Sequence, residues 1–219
     1  MPSAANDGDH TERELARFVV SVAVTPDDIT AAVKCCDERY RKIYASNWIS
    51  HPDAFFVARN EEGSVVATAG LEFGWTRPAI DCERYFLLTP RMRRFIREHR
   101  DHLAEFGRFS SKETDSRAAQ AVLHALITYC QQSSVDYLFA WANPTVYQHG
   151  AEQLGVPFWV VDVDVNEDEV RNDTHWATPP VKFFLRKDPP KLLLAVIPFF
   201  DHVNDRLSKI YGEPLSLVS

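Results

Sequence analysis

The sequence predicts an α/β (α+β) fold in three layers, with a central mixed, bulged β-sheet flanked by helices. Three observations carry that expectation. Runs rich in β-branched and aromatic residues alternate along the chain with runs whose apolar residues recur every three to four positions. An early pair of strand runs is joined by a short turn, whereas a central pair is joined by a helix-patterned run, so different pairings share one sheet. Finally, the strand-like run His102–Ser111 holds Gly107 between Glu105 and Arg108, and a glycine inside a strand often marks a bulge.

Taken in order, residues 1–14 are small and charged and read as a disordered tail, leaving 15–219 for a single domain. Arg17–Val24 is β-branched and strand-like. Thr25-Pro26-Asp27-Asp28 reads as a helix start, with a capping hydroxyl, a first-turn proline and two acids at the positive end of the dipole. Ile29, Val33, Cys36, Tyr40 and Ile43 form its apolar stripe. His51-Pro52 ends that pattern, and Ala54–Arg59 and Ser64–Phe73 follow as a hairpin around Asn60–Gly63. Gly74–Asp81 reads as loop. Thr89-Pro90 opens a short, strongly basic helix to about Arg100.

Ser116–Cys130, after the His102–Ser111 strand, is an amphipathic helix. Val135–Ala142 is apolar throughout, as in a strand covered on both faces. Asn143-Pro144 caps a short helix ending near Leu154-Gly155. Phe158–Val165 reads as a strand whose second half alternates Val161, Val163 and Val165 with Asp162 and Asp164. Asn166–Pro180 reads as a long polar connection and Val181–Arg186 as the last clear strand; Lys191–Ile197 fits strand or helix. Phe200, Val203, Leu207, Ile210 and Tyr211 give a C-terminal amphipathic helix.

Composition narrows the function classes. Of 219 residues, 45% are hydrophobic and 12% aromatic, enough for a substantial core. The net charge of −7 argues against nucleic acid as the main partner, because phosphate binding needs a cationic footprint. Cys35, Cys36, Cys82 and Cys130 form no CxxC pair or metal spacing and read as reduced, partly buried thiols of a cytoplasmic protein. No permanently bound cofactor or metal is expected: His99 and His102 do not share a ligand geometry, and Ser110 and Ser111 have no evident His/Asp partner for serine hydrolysis. No apolar run approaches the ~20 residues of a transmembrane segment, and the first residues carry no apolar leader core.

The element order, and the local marks of the central unit, resemble the GNAT acyltransferase fold over roughly Thr25 to Arg186. Glu105-Phe-Gly-Arg108-Phe-Ser is similar to the E-x-x-R-hydrophobic strand of the N-acyl amino acid synthases and the autoinducer (N-acyl homoserine lactone) synthases. Trp141-Ala-Asn-Pro144 through Leu154-Gly-Val-Pro-Phe158 is similar to the corresponding segment of the N-acyl amino acid synthases, and Pro180–Arg186 sits where that family has its last strand. Glu83-Arg-Tyr-Phe86 and Thr174-His-Trp176 resemble the thermostable hemolysin-like family. Two departures stand out. The Ser111–Arg117 turn lacks the glycines that cradle a CoA pyrophosphate in ordinary GNAT enzymes, which favours acyl carrier protein over CoA as donor. The tyrosine that often precedes Leu-Gly is absent, and Tyr147 lies a full turn away.

The resemblance implies transfer of a long-chain acyl group from the phosphopantetheine of acyl carrier protein, or from acyl-CoA, to the amine of an amino acid or related small molecule. The alternative is a non-catalytic acyl-ligand or partner-binding protein on the same fold. Acyl transfer needs a base, oxyanion donors, a slot for the pantetheine arm and an apolar cavity. Glu105 is the candidate base and Arg108 the candidate group for orienting it or holding the acceptor's carboxylate. In a regular strand these two point to opposite faces, so a bulge at Gly107 is expected to bring them together and to free backbone N–H groups near Phe109 and Ser110. Phe109, Ser110, Ser111 and Asn143 are the candidate donor-binding residues, and Phe106, Phe139 and Trp141 the candidate acyl-pocket wall. Arg91, Arg94 and Arg97 of the basic helix offer a docking face for an acidic carrier protein.

Overall fold

A computed structural model describes residues 18–44, 51–112, 117–148 and 157–200. The expected tail, the side chain of Ile43, the Leu154-Gly155 helix end, most of the glycine-free turn and the C-terminal helix lie outside the described residues. Seven strands form one open, mixed sheet: β1 (Val19–Val22), β2 (Ala54–Arg59), β3 (Val65–Phe73), β4 (Leu103–Ser111), β5 (Tyr137–Ala142), β6 (Phe158–Val161) and β7 (Lys191–Val196), in the spatial order β1-β2-β3-β4-β5-β7-β6. All neighbours are antiparallel except β4 and β5, which are parallel and joined through a helix, as a parallel pair requires. The expected three-layer, mixed and bulged sheet is therefore present.

Helix α1 (Pro26–Tyr44) covers one face of the sheet. Its start is built as the sequence suggests, with Asp28 N–H donating to Thr25 Oγ1 at 3.1 Å and Thr25 Oγ1 donating to Asp28 Oδ2 at 2.8 Å. Ala32, Cys35, Cys36 and Tyr40 of α1 pack with Phe55 and Val57 of β2. On this same face lie α2 (Asp81–Tyr85), α3 (Pro90–Glu98, capped by Thr89), α5 (Glu167–Asn172) and α6 (Val181–Phe184). Helix α4 (Arg117–Gln132) covers the opposite face, burying Val122, Leu126, Ile127 and Cys130 against Phe56, Ala69 and Leu71. Residues 144–148, between β5 and β6, are also helical. All four cysteines are free and buried.

The second half of the chain departs from expectation in several places. Val181–Arg186 is no strand but the helical turn α6. The reason is packing: Phe183 and Phe184 are both buried in one aromatic cluster, whereas adjacent residues in a strand point to opposite faces. The last strand is instead β7, which settles Lys191–Val196 as strand and inserts it between β5 and β6. The segment Asn166–Pro180 contains α5, capped by the Asn166 side chain. The Phe158–Val165 strand stops at Val161, although the half-buried valines and exposed aspartates beyond it keep their alternation, and Val165 forms a lone bridge with Phe86. Asp81–Tyr85, not expected as a helix, forms α2. Among the described residues no helix is long and apolar enough to cross a membrane.

Candidate active site

The centre of the molecule is β4, whose two halves differ. Leu103–Phe106 pairs with Tyr137–Ala140 of β5 on one side, and from Ala104 onward with β3 on the other. Beyond Phe106 the parallel pairing stops, although β4 runs on to Ser111 and β5 to Ala142, so the two strands part. A Cβ built on Gly107 at this point would meet no atom within 4 Å. On the β3 side the register shifts between Thr68 and Gly70: Arg108 and Phe109 together stand opposite Ala69. That is the expected bulge, displaced by one residue. Arg108, not Gly107, takes the left-handed backbone conformation, with φ of 54°.

The bulge changes the parity of the strand. Phe106 and Phe109, three apart, share the α4 face, with ring centroids 5.5 Å apart. Glu105, Arg108 and Ser110 share the α1 face. There the Arg108 carbonyl accepts from Thr68 Oγ1 at 2.9 Å and from Cys36 Sγ at 3.8 Å, and Ser110 Oγ donates to the Cys35 carbonyl at 3.4 Å. Arg108 fits over β3 because Gly70 has no side chain: a Cβ there would come within 3.0 Å of Arg108 Cγ and 2.9 Å of Pro52 Cγ.

Glu105 is 3% exposed. Its Oε2 accepts the Cys82 N–H at 2.9 Å, from the first turn of α2, and its Oε1 accepts the Trp141 Nε1–H at 2.6 Å. Burial pushes its carboxyl well above the usual carboxylate range. Asp81 and Glu72 push it further, and the two N–H donors pull the other way. Glu72 lies directly across from Glu105 in the β3–β4 register. It is also buried and also raised, again chiefly by burial, with the Arg108 guanidinium opposing the shift. Arg108 Nη2 stands 2.9 Å from Glu72 Oε1, yet that oxygen receives no well-directed hydrogen bond. The other Glu72 oxygen faces Arg77 Nη1 at 3.6 Å, and Arg77 Nε lies 3.5 Å from Asp53, just before β2. Arg108 therefore reaches Glu105's neighbourhood through Glu72, its ion-pair partner.

Behind Trp141 lies an aromatic wall. Its ring centroid is 5.2 Å from those of Phe183 and Phe184 and 6.4 Å from that of Trp176. Trp176 Nε1–H donates to Tyr85 Oη at 3.2 Å, and Tyr85 Oη–H donates to buried Asp173 at 2.8 Å. The segments Glu83–Phe86 and Thr174–Trp176 thus meet in space, and burial drives the Tyr85 phenol far above its ordinary range. Beyond Phe184 a cleft of about 760 Å³ opens between Val163–Asp168 and Leu185–Lys191.

The other sequence-derived candidates disperse. Phe139 is fully buried on the α1 face, with Trp141, while Phe106 is on the opposite face, so the three do not form one wall. Ser110 is turned into the core toward α1, Ser111 is half-buried at the end of β4, and Asn143 caps the following helix by accepting the Thr145 N–H at 3.1 Å. On α3, Arg91 and Arg97 are exposed, while Arg94, also exposed, pairs with Glu98 at 2.8 Å. His99 packs at a tilt against Phe95 and Tyr137, and His102 Nδ1 lies 3.1 Å from the Ser134 carbonyl. Among the described residues no cluster of His, Cys, Asp and Glu is arranged to hold a metal. Sequence reasoning missed Glu72, Asp81 and the Cys82 N–H. Glu72 did carry a signal, as the sole charge in the otherwise uncharged run Val65–Phe73.

No known family matches the sequence, and no curated protein matches it. Solved structures do match. FeeM, an N-acyl amino acid synthase from uncultured soil microbes, superposes with a TM-score of 0.58 at 16% identity, covering 83% of this chain and 92% of FeeM. The fold is that of the acyl-transferring synthases. BjaI, a CoA-dependent acyl-homoserine lactone synthase solved with SAM and isopentyl-CoA, gives 0.55 at 12% identity over 91% of this chain and 90% of its own. TofI, solved with an inhibitor and MTA, gives 0.54 at 12% identity over 90% and 98%.

Proposed function

We propose that this chain is an N-acyltransferase that moves an acyl group from a thioester to the amine of an amino acid or related small molecule. The observation that carries the proposal is Glu105: a buried carboxyl held by two N–H donors beside the point where β4 and β5 part. In this reading the thioester arm of acyl carrier protein or acyl-CoA enters the gap beside Gly107. BjaI, a CoA-dependent synthase of the same fold, supports a CoA thioester as one candidate donor. The bulge supports the oxyanion role. With the Arg108 carbonyl bound to Thr68, the far side of the same trans peptide directs the Phe109 N–H away from β3. Phe106 and Phe109, on the α4 face, give the acyl chain an apolar wall, while Trp141 and Phe139, on the opposite face, pack beside Glu105. Ser111 and Asn143, at the ends of β4 and β5, flank the arm. Arg91, Arg94 and Arg97 provide a cationic face for a carrier protein.

Glu105 takes one proton from the acceptor's ammonium group, and the freed amine attacks the thioester. The C–N bond forms, the C–S bond breaks, and a second nitrogen proton goes to the departing sulfur, which leaves as the thiol. Arg108 acts through Glu72 rather than on the acceptor directly. The test is incubation of the purified protein with acyl carrier protein or CoA thioesters and an amino-acid panel, reading thiol release and the amide by mass spectrometry. An acylated amine is expected, and Glu105→Ala is expected to abolish it while retaining acyl-ligand binding. Binding without thiol release from any donor and acceptor in the wild-type protein would replace this reading with that of a non-catalytic acyl binder.

A further inference from the structure

We infer that Glu72 is the proton partner of Glu105, and that the two carboxyls work as a pair through which the amine's proton leaves for water beside Asp53 and Arg77, where β2 begins and β3 ends. The inference rests on the acyltransferase reading and adds to it a residue and a route. Acylation of an ammonium group converts a thioester and R–NH₃⁺ into an amide, a thiol and one free proton. One amine proton goes to the departing sulfur, and the other must reach solvent in every turnover. Glu105 is enclosed by β3, β5 and α2 and cannot discharge that proton directly.

Glu72 is its cross-strand neighbour, with Cβ atoms of such pairs about 5 Å apart. The Glu72 Oε1 is buried 2.9 Å from Arg108 Nη2, and with two lone pairs it can face that guanidinium and still accept a proton. The Glu72 Oε2 faces Arg77, which also pairs with Asp53, and both of these side chains are about a quarter exposed. The proton passes from Glu72 to water beside them, while Arg77, always protonated, steadies the charge and carries no proton itself. The charged and titratable groups facing the pair are Asp81 and Cys82 from α2, Arg108 from β4, Arg77 and Asp53 from beyond the ends of β3 and β2, and Cys36 from α1. Two buried carboxyls with one buried guanidinium favour one bound proton held between them, because like charges this close resist joint ionisation. Arg108 holds the charge on Glu72 and so keeps the proton exchangeable rather than fixed on one residue.

The experiment is infrared titration of protonated carboxyls in the wild type and in Glu72→Gln, Glu72→Asp and Glu105→Gln. The wild type should show a carboxyl that stays protonated to higher pH than an exposed glutamate. Glu72→Gln should lower its titration by about one pH unit or more through loss of the like charge, Glu72→Asp should restore it, and Glu105→Gln should lower the titration of Glu72 in turn. An unchanged titration in both Gln variants, each with native circular dichroism, would overturn the pairing. In the transfer assay, Glu72→Gln should lower kcat about tenfold or more and move the rising limb of the pH profile down, with the acceptor KM unchanged. A KM effect alone would assign Glu72 to acceptor binding and sink the proton route. The infrared result is independent of turnover: reciprocal shifts without any amide product would remove the acyltransferase reading and keep the coupled pair.

Discussion

Leu103–Phe106 and Gly107–Ser111 belong to one strand, yet the first half is hydrogen-bonded to strands on both sides and the second half on one side only. The first half holds Glu105 in a dry, fixed setting that lifts its carboxyl out of the usual range. The second half, bulged and released from β5, leaves open space at Gly107 and re-aims Arg108 onto the face that Glu105 occupies. A perturbed base needs neighbours on every side, and a ligand needs a missing neighbour. Parting two parallel strands midway supplies both within a few residues.

The sharpest way to break that contrast is Glu105→Gln. The amide keeps the shape but cannot take a proton, so kcat in the thiol-release assay should fall about 100- to 10,000-fold. One of the two N–H donors would then face the amide NH₂, costing roughly 1–3 kcal/mol, partly offset by relief of repulsion from Asp81 and Glu72. A loss smaller than tenfold would remove Glu105 from the chemistry and leave the first half of β4 a purely structural element.

Arg108→Ala tests the second half. It leaves buried Glu72 without its main countercharge and should cost about 3–5 kcal/mol in urea unfolding at neutral pH. The loss should shrink as pH falls, because a neutral Glu72 needs no partner. Glycine at position 108 would accept the positive φ without strain but lose the same ion pair, so Arg108→Gly should be milder than Arg108→Ala by about 1 kcal/mol. Equal losses would show that the backbone conformation carries no strain.

Much of this was legible in the sequence, for identifiable reasons. The hairpin, α1, α3 and α4 follow from periodicity and capping, which are local. The bulge followed from the parity of Glu105 and Arg108, although glycine drew it one residue early: the left-handed position fell on Arg108, where Glu72, Thr68 and Cys36 hold the residue in place. What was illegible depends on distant partners. Phe183-Phe184 reads as strand until Tyr85, Phe86 and Trp141 require both rings on one side. Trp141 reads as pocket wall until its indole N–H is seen to point at Glu105. Glu72 becomes meaningful only through a cross-strand register.

The titration of Glu105 sets activity and stability against each other. Its folded pKa lies above the model-peptide value near 4.5, so between the two the native state binds more protons than the unfolded chain. The unfolding free energy contributed by this group therefore falls as pH rises through that window. The base form increases over the same window, so kcat should climb about tenfold per pH unit on its acid limb while Tm declines. If both rise together, the native carboxyl is not raised, and the enclosure of the first half of β4 has no functional consequence.

The finest test uses two glycines that face each other across the ladder, Gly70 of β3 and Gly107 of β4. Gly70 is crowded by Pro52 and Arg108, whereas Gly107 has nothing within 4 Å of an added Cβ. Gly70→Ala should displace the Arg108 stem, lowering stability by about 1–3 kcal/mol and disturbing the ion pair with Glu72. Gly107→Ala should leave stability unchanged or raise it by about 0.5–1 kcal/mol, since a strand glycine is entropically costly. Its effect should appear in the donor instead: a methyl group at the mouth of the gap should raise the thioester KM by roughly two- to tenfold, on the order of 1 kcal/mol of binding, with kcat nearly constant. An unchanged donor KM would place the pantetheine arm elsewhere, and the open space at Gly107 would then be a consequence of the bulge rather than the slot it makes.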